Sequence, residues 1–205
     1  MNKILLAVLT LFCATAYAQQ TNDEFDGHTW QAPYSLPAPK DWGVERFPVP
    51  PSFAPSIRYK GVEDIRFAPG WAKAGSDEYW SYAFLWYLEG KPVITEATLE
   101  KDLQAYYTGL IEANSTRARV ASGQSISAAA KFKADPPGTQ PSFTGTITMI
   151  DYMTGKPITL QSRVRVKSCN EIDKAFVFFE LSPQPFTHAI WKSLDQLWQD
   201  FACKK

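Results

Sequence analysis

The sequence predicts an α+β fold, with a mainly antiparallel sheet of about six strands covered by two helices. Runs rich in aromatic and β-branched residues are separated by short Gly/Pro turns, which is typical of consecutive antiparallel strands. Two other segments place apolar residues three and four positions apart, the spacing of one buried helix face. Because the sheet and the helices each have an apolar side, we expect the helices to cover the sheet.

The first 18 residues have the features of a signal peptide. Lys3 supplies a positive start, residues 4–16 form a short apolar run, and Ala16-Tyr17-Ala18 has the small-x-small pattern that signal peptidase cuts. The run is shorter than the roughly 18 residues that a membrane span needs, and no later stretch reaches that length. We therefore expect cleavage after Ala18 and export to the periplasm or the exterior.

Residues 19–55 are predicted to form an extended N-terminal arm. The segment contains seven prolines, which lack the amide hydrogen that helices and central strands need. It also contains six aromatic residues, which argues against a flexible linker. We interpret the segment as an arm that packs its rings on the domain surface. Docking of the arm on a partner protein is the alternative.

Residues 56–205 are predicted to form a single domain. Its first strands cover residues 62–67 and 78–88, and the second of these is the most aromatic run in the chain. Thr95 is a good N-cap for a helix over residues 95–113, whose apolar residues follow the spacing of one buried face.

Four strands and a second helix complete the domain. A turn at Thr154-Gly155-Lys156-Pro157 joins two of the strands into a hairpin. The second helix is predicted to begin at Thr187, with an apolar stripe that would face the sheet. The four strands are predicted at 126–134, 143–153, 158–168 and 175–181.

One aromatic strand face is the candidate ligand-binding surface. Trp80, Tyr82 and Trp86 are two or four positions apart in the predicted strand at 78–88, so they share one face. Exposed rings would give a platform for a sugar or an apolar molecule, whereas buried rings would be part of the core. The other face of the strand is also apolar, so we expect the strand to be covered on both sides.

A basic stripe is the candidate anion-binding surface. Arg163, Arg165 and Lys167 alternate with apolar residues in the predicted strand at 158–168. Their side chains would stand roughly 6–7 Å apart on one face, a spacing that suits phosphate or sulfate groups. The alternative is an ordinary solvated sheet face that is balanced by acids on the next strand.

Two cysteines remain after the predicted cleavage, Cys169 and Cys203. An even number of cysteines in an exported chain predicts a disulfide. The loop that it would close is worth roughly 3–4 kcal/mol in the chain-entropy account. The alternative is a pair of buried free thiols.

Composition and motifs favour binding over catalysis. Positive and negative side chains number 21 each, which argues against nucleic acid as a partner. The sequence has no hydrolase elbow, zinc-protease motif, phosphate loop or dinucleotide fingerprint, and it predicts neither a metal nor a cofactor. We expect a non-catalytic binding or assembly domain of the cell envelope, with a protein partner or a small apolar or sugar ligand.

Two alternative functions remain open. The first is a carrier that holds an apolar molecule between the sheet and the helix at 95–113. The second is a hydrolase with a pair of catalytic carboxylates, although no catalytic pair can be chosen from spacing alone. The acidic residues available for such a pair are Glu63, Asp64, Asp77, Glu78 and Glu180.

Overall fold

The predicted signal peptide at 1–18 and Cys169 lie outside the part of the chain that the structure describes. Cleavage after Ala18 and the disulfide between Cys169 and Cys203 therefore stay predictions. The computed structural model describes residues 25–115, 127–138, 140–168 and 173–204.

The predicted α+β class is confirmed, because two helices accompany a seven-stranded antiparallel sheet and a small two-stranded sheet. The large sheet has the strand order β2-β3-β4-β8-β7-β6-β5, and β1 pairs with β9. In chain order the elements are β1 (Tyr34–Ser35), β2 (Gly43–Val49), β3 (Gly61–Phe67), β4 (Tyr82–Glu89), α1 (Glu96–Asn114), β5 (Ala129–Ala134), β6 (Ser142–Ile150), β7 (Pro157–Ser168), β8 (Lys174–Ser182), α2 (Ile190–Asp200) and β9 (Ala202–Cys203).

The sheet separates two hydrophobic cores. In β4, Phe84 and Trp86 belong to the core on one face, while Ala83 and Leu85 belong to the core on the other. Successive residues of a strand point to opposite faces, so an apolar strand must be covered on both sides. α1 covers the first face and α2 covers the second, which gives a helix–sheet–helix sandwich.

The start of α1 confirms the predicted N-cap. Thr95 Oγ1 accepts a hydrogen bond from the Thr98 backbone N–H at 3.2 Å, and Thr98 Oγ1 accepts one from the Thr95 N–H at 2.9 Å. This reciprocal pair satisfies two amides that a helix start leaves without intrahelical partners. The buried face of α1 then packs on the sheet through Leu99, Leu103, Tyr106, Tyr107 and Ile111.

The second face is covered by α2 together with part of the N-terminal segment. Tyr34 in β1 is only 1% exposed, and its hydroxyl donates a hydrogen bond to Asp64 at 3.1 Å. Trp30 and Leu36 pack into the same core. Within the described ranges, no helix is long and apolar enough to cross a membrane.

One strand of the large sheet was not predicted, and several predicted boundaries were wrong, including the start of the strand at 126–134 and the end of the strand at 143–153. The arm contains a regular strand, because Gly43–Val49 forms the edge strand β2, where the missing amide of Pro48 is tolerated. β4 begins at Tyr82 and not at residue 78, because a turn with Trp80 at φ 53° precedes it. α2 begins at Ile190, three residues after the predicted start.

Candidate functional site

A cavity of about 220 Å³ lies between α1 and the end of the sheet formed by β2, β3 and β4. Eight of its twelve lining residues are aromatic, and we call it the aromatic cavity. The rings come from β2 and the segment after it, β3, the β3–β4 loop, β4, α1 and the β6–β7 turn. Its volume exceeds the roughly 150 Å³ cavity that holds benzene and is below the roughly 300 Å³ of drug-sized sites.

The β3–β4 loop, residues 68–81, supplies one wall of the aromatic cavity. Trp71 stacks on Phe67 with 4.4 Å between the ring centroids. Trp71 also meets Trp80 edge to face, with 6.1 Å between the centroids. Stacked and edge-to-face pairs at such separations are favourable arrangements for aromatic rings. The wall is therefore a packed aromatic surface and not a set of independent side chains.

Trp80 has an unusual backbone conformation within this wall. Its φ of 53° lies in the left-handed region, which is costly for a bulky residue and is concentrated at functional sites. The backbone N–H of Trp80 donates to the Trp71 carbonyl at 2.8 Å. At the other end of the loop, the Gly70 N–H donates to the Glu78 carboxylate at 2.8 Å, and a side chain at Gly70 would overlap Ser76 Oγ. The tight loop thus holds Trp80 in place.

The β6–β7 turn brings Tyr152 to the cavity. The Asp151 carboxylate accepts hydrogen bonds from the Tyr79 hydroxyl at 2.6 Å and from the Thr154 hydroxyl. These bonds join the β6–β7 turn to the β3–β4 loop, although 72 positions separate Tyr79 from Asp151. Tyr152 then meets Trp80 edge to face, with 5.3 Å between the ring centroids.

The buried end of the cavity is connected to a buried carboxyl group. Tyr106 lines the cavity, and its hydroxyl donates to Glu63 Oε1 at 2.7 Å. On the other side, Trp86 Nε1 donates to Glu63 Oε2 at 2.8 Å. Burial raises the pKa of Glu63 to about 8, and the two hydrogen bonds only partly oppose this. Glu63 is therefore predominantly neutral at pH 7 and fixes the orientation of the Tyr106 ring.

Glu45 is the charged residue of the cavity lining. It lies on β2 opposite Ile65 of β3, and its side chain is exposed at the rim together with Asn114. Among the described residues Glu45 has no ion-pair partner, and no lysine or arginine lines the cavity. The cavity thus combines apolar rings inside with a single carboxylate at its mouth.

The three aromatic residues predicted to bind a ligand do not form an exposed platform. Trp80, Tyr82 and Trp86 are 1%, 3% and 1% exposed, and all three belong to the core beneath α1. Trp80 and Tyr82 nevertheless line the aromatic cavity. Trp86 does not, because its indole lies deeper, against Glu63. The sequence-based choice thus identifies two residues of the cavity but not its shape.

The basic stripe faces α2 and is matched by acids. Arg163 donates to Asp195 at 3.0 Å, and Arg165 bridges Asp195 and the buried Glu180. Lys167 lies over the rings of Trp198 and Phe201. Glu180 of β8 is an acid on the next strand, as the alternative to an anion site predicts, but the stripe packs against α2 and is only partly exposed to solvent.

None of the acidic residues considered for a hydrolase lines the aromatic cavity. Glu63 and Asp64 are neighbours in β3 and point to opposite faces, Glu63 toward Tyr106 and Asp64 toward Tyr34. Asp77 is exposed in the β3–β4 loop. Asp64 lines a second cavity, without any other of the five residues. The described residues also contain no cluster of three or more acidic, histidine or cysteine side chains suited to a metal.

Sequence reasoning missed most of the lining residues. Glu45 and Phe47 fell within the predicted irregular arm, and Trp71 and Tyr152 fell within turns between strands. A usable signal was the tryptophan that directly follows Pro69-Gly70, because a large ring at a tight turn needs a surface to pack on. Nothing in the spacing indicates that these residues meet.

The chain matches no protein-family model, and comparisons with curated proteins and with solved structures also give no match. The functional inferences below therefore rest on the geometry and chemistry of the aromatic cavity and on the sequence.

Proposed function

We propose that this chain is an exported, non-catalytic binding protein of the cell envelope that holds a small, ring-bearing ligand in the aromatic cavity. The observation that supports this most strongly is the cavity itself, a concave site of about 220 Å³ with eight aromatic residues in its lining. Binding sites for small molecules are typically concave and apolar with a few polar groups. A ligand of one ring with a short substituent suits this volume.

The lining favours an apolar ring over a sugar. Sugar recognition needs hydrogen-bond partners for several hydroxyl groups, since a buried hydroxyl without a partner is costly. The Tyr106 hydroxyl is already bonded to Glu63, and the Tyr82 hydroxyl shares a hydrogen bond with Tyr107. The polar side chains left at the mouth are those of Glu45 and Asn114, and the buried Trp80 Nε1 adds one donor without a hydrogen-bond partner among the described residues.

A calorimetric titration with benzyl alcohol, a neutral single-ring probe, tests the proposed site. Leu110 lies on α1 at the cavity and is only partly buried, so Leu110→Trp should fill the cavity from the helix side. We expect the wild-type protein to bind the probe and the variant to bind it at least about tenfold more weakly. Val93→Trp, at a position that is 78% exposed and outside the cavity, is the matched control. Equal affinity in all three proteins, or no binding to the wild type, would contradict the proposal.

Export and the disulfide are part of the same proposal and have a separate test. The pattern at residues 1–18 supports export, and the pair Cys169 and Cys203 suits an oxidising compartment. Mass spectrometry of protein recovered from the envelope should give a chain that begins at Gln19 and is two hydrogens lighter than the reduced form. A chain that still begins at Met1 would exclude cleavage.

A further inference from the structure

We propose that the natural ligand of the aromatic cavity is a small organic cation, a quaternary ammonium or protonated amine that carries an apolar ring. This inference rests on the proposed function and adds the charge of the ligand to it. Three observations on the described residues support it: the ring-lined wall, the carboxylate at the mouth, and the way that the same chain uses its own cations on the opposite face of the sheet.

The ring-lined wall provides aromatic faces that attract a cation. The negative face of an aromatic ring attracts an ammonium group within about 6 Å of its centroid, and tryptophan does so most strongly. The cavity contains two tryptophans, Trp71 and Trp80, set edge to face with their centroids 6.1 Å apart. Tyr152 meets Trp80 edge to face at 5.3 Å, so three rings inclined to one another line the same cavity. Inclined rings of this kind are the usual receptor for a quaternary ammonium group.

The carboxylate at the mouth gives the cavity one sign of charge. Glu45 lines the cavity, and the nearest basic residue along β2, Arg46, points to the other face and pairs with Asp64 at 2.9 Å. The Glu45 charge also affects the pKa values of tyrosines that line the cavity. Burial is the main cause of the raised pKa values of Tyr106 and Tyr152, and the Glu45 charge adds to both. Among the described lining residues no cation compensates this charge for an anionic ligand, so a carboxylate or phosphate is disfavoured.

On the opposite face of the sheet, lysines and arginines of the chain itself pack on aromatic rings. There, four cations lie over aromatic rings: Arg163 over Phe186 and Trp191, Arg165 over Trp198, Lys167 over Trp198 and Phe201, and Lys174 over Tyr87. Among the described residues, no lysine or arginine lies over a ring of the aromatic cavity. Within the described ranges, the cavity therefore has the rings and the carboxylate that would hold a cation, but no lysine or arginine to supply one.

The test compares three single-ring probes by calorimetry: benzyltrimethylammonium, neutral benzyl alcohol and anionic phenylacetate. We expect the wild-type protein to bind the cation about tenfold or more tightly than the alcohol, and to bind phenylacetate more weakly than either. Glu45 is exposed, so Glu45→Gln should leave the fold intact. This variant should lower the affinity for the cation about threefold to tenfold and leave that for the alcohol unchanged. Glu89→Gln, an exposed carboxylate at the end of β4 outside the cavity, is the matched control and should change neither affinity.

A second variant tests the rings independently of Glu45. Trp71 is partly exposed, and Trp71→Leu removes an aromatic face while keeping an apolar side chain. We expect it to reduce the affinity for benzyltrimethylammonium by a larger factor than that for benzyl alcohol. Equal affinities for the cation and the alcohol, together with no effect of Glu45→Gln, would overturn the cation inference and leave the proposed function standing. Preferential binding of phenylacetate would also overturn it. Failure of all three probes would overturn both.

Discussion

Glu63 is a buried carboxyl group next to the cavity whose protonation affects the stability of the fold. The carboxyl group has no exposed surface and, in the part of the chain that the structure describes, no cationic partner. It accepts hydrogen bonds from Trp86 and Tyr106. Burial raises its pKa from 4.5 to about 8. A carboxyl group that holds its proton more tightly in the folded state destabilises the fold as pH rises, because the unfolded chain releases the proton first.

Replacement of Glu63 by glutamine should therefore change how stability depends on pH. The penalty in the wild-type protein is absent below about pH 4.5, grows between pH 4.5 and 8, and is fully present above pH 8. We expect Glu63→Gln to gain stability relative to the wild type across that interval, on the order of a few kcal/mol. Urea unfolding at pH 5 and pH 8 measures the difference. Burial also raises the pKa of Glu180, to about 7. Glu180 is present in both proteins, so its contribution cancels in the difference between their unfolding free energies. A stability difference that is the same at both pH values would contradict this account of Glu63.

Arg165 should matter for stability more than its neighbour on the same strand. It pairs with Glu180, which is fully buried, and with Asp195 of α2. Arg165→Met leaves the buried carboxylate without its cation, and breaking a buried pair in this way costs about 3 kcal/mol or more. Lys167→Met is the control, since Lys167 only lies over the Trp198 and Phe201 rings, and should cost about 1 kcal/mol or less. Urea unfolding at pH 8 compares the two variants; similar losses would show that the buried pair contributes little.

At the scale of the element, local signals in the sequence were enough for α1 but not for its surroundings. The Thr95 cap depends on residues three positions apart, so the sequence contains all the information that it needs. β2 was missed because proline argues against a strand unless the strand is known to be at an edge, and edges are set by the whole sheet. The predicted start of the strand at 78–88 was wrong for a similar reason. Tyr79 is held in a turn by Asp151, which is distant in the chain.

The close approach of α1 to the segment after β2 gives a prediction at this scale. A methyl group at Gly109 would overlap the Phe53 carbonyl oxygen, so the helix and the backbone at Phe53 require a glycine there. We expect Gly109→Ala to destabilise the protein by about 1–3 kcal/mol through forced displacement of packed backbone. Gly138→Ala is the control, because its new methyl group would touch nothing closer than 3.9 Å and no positive φ is required. The urea midpoints of the two variants measure the effect; equal midpoints would contradict the described packing of α1.

Gly109→Ala should also weaken ligand binding. Phe53 lines the aromatic cavity and packs edge to face on Tyr106, with 5.1 Å between the ring centroids. Moving the backbone of Phe53 changes that wall. We expect the variant to bind benzyl alcohol less tightly than Gly138→Ala does, in a calorimetric titration below the unfolding temperature of both. Unchanged affinity would show that Phe53 does not take part in binding.

At the scale of the whole molecule, the sheet divides the chain into two chemically different halves. On the α2 side, cations, acids and rings satisfy one another within the chain, as Arg165 does with Glu180, Asp195 and the Trp198 ring. On the α1 side, the rings enclose a cavity and a carboxylate stands at its mouth. The sequence predicted the α+β class and two residues of the cavity, because strand and helix patterns are local. One alternative placed an apolar ligand between the sheet and the first helix. The sequence could not predict which residues line that site, because β2, the β3–β4 loop, α1 and the β6–β7 turn meet only in the folded chain.

The most direct test of the central claim is a nuclear magnetic resonance titration of the indole N–H signals. The chain has seven tryptophans, so each signal can be assigned by a single Trp→Phe variant. Benzyl alcohol and benzyltrimethylammonium are added in turn. We predict shifts at Trp71 and Trp80, which line the cavity, and none at Trp191 and Trp198, which lie on the α2 face. Larger shifts at Trp191 and Trp198, or none at Trp71 and Trp80 with either probe, would contradict the assignment of the aromatic cavity as the binding site.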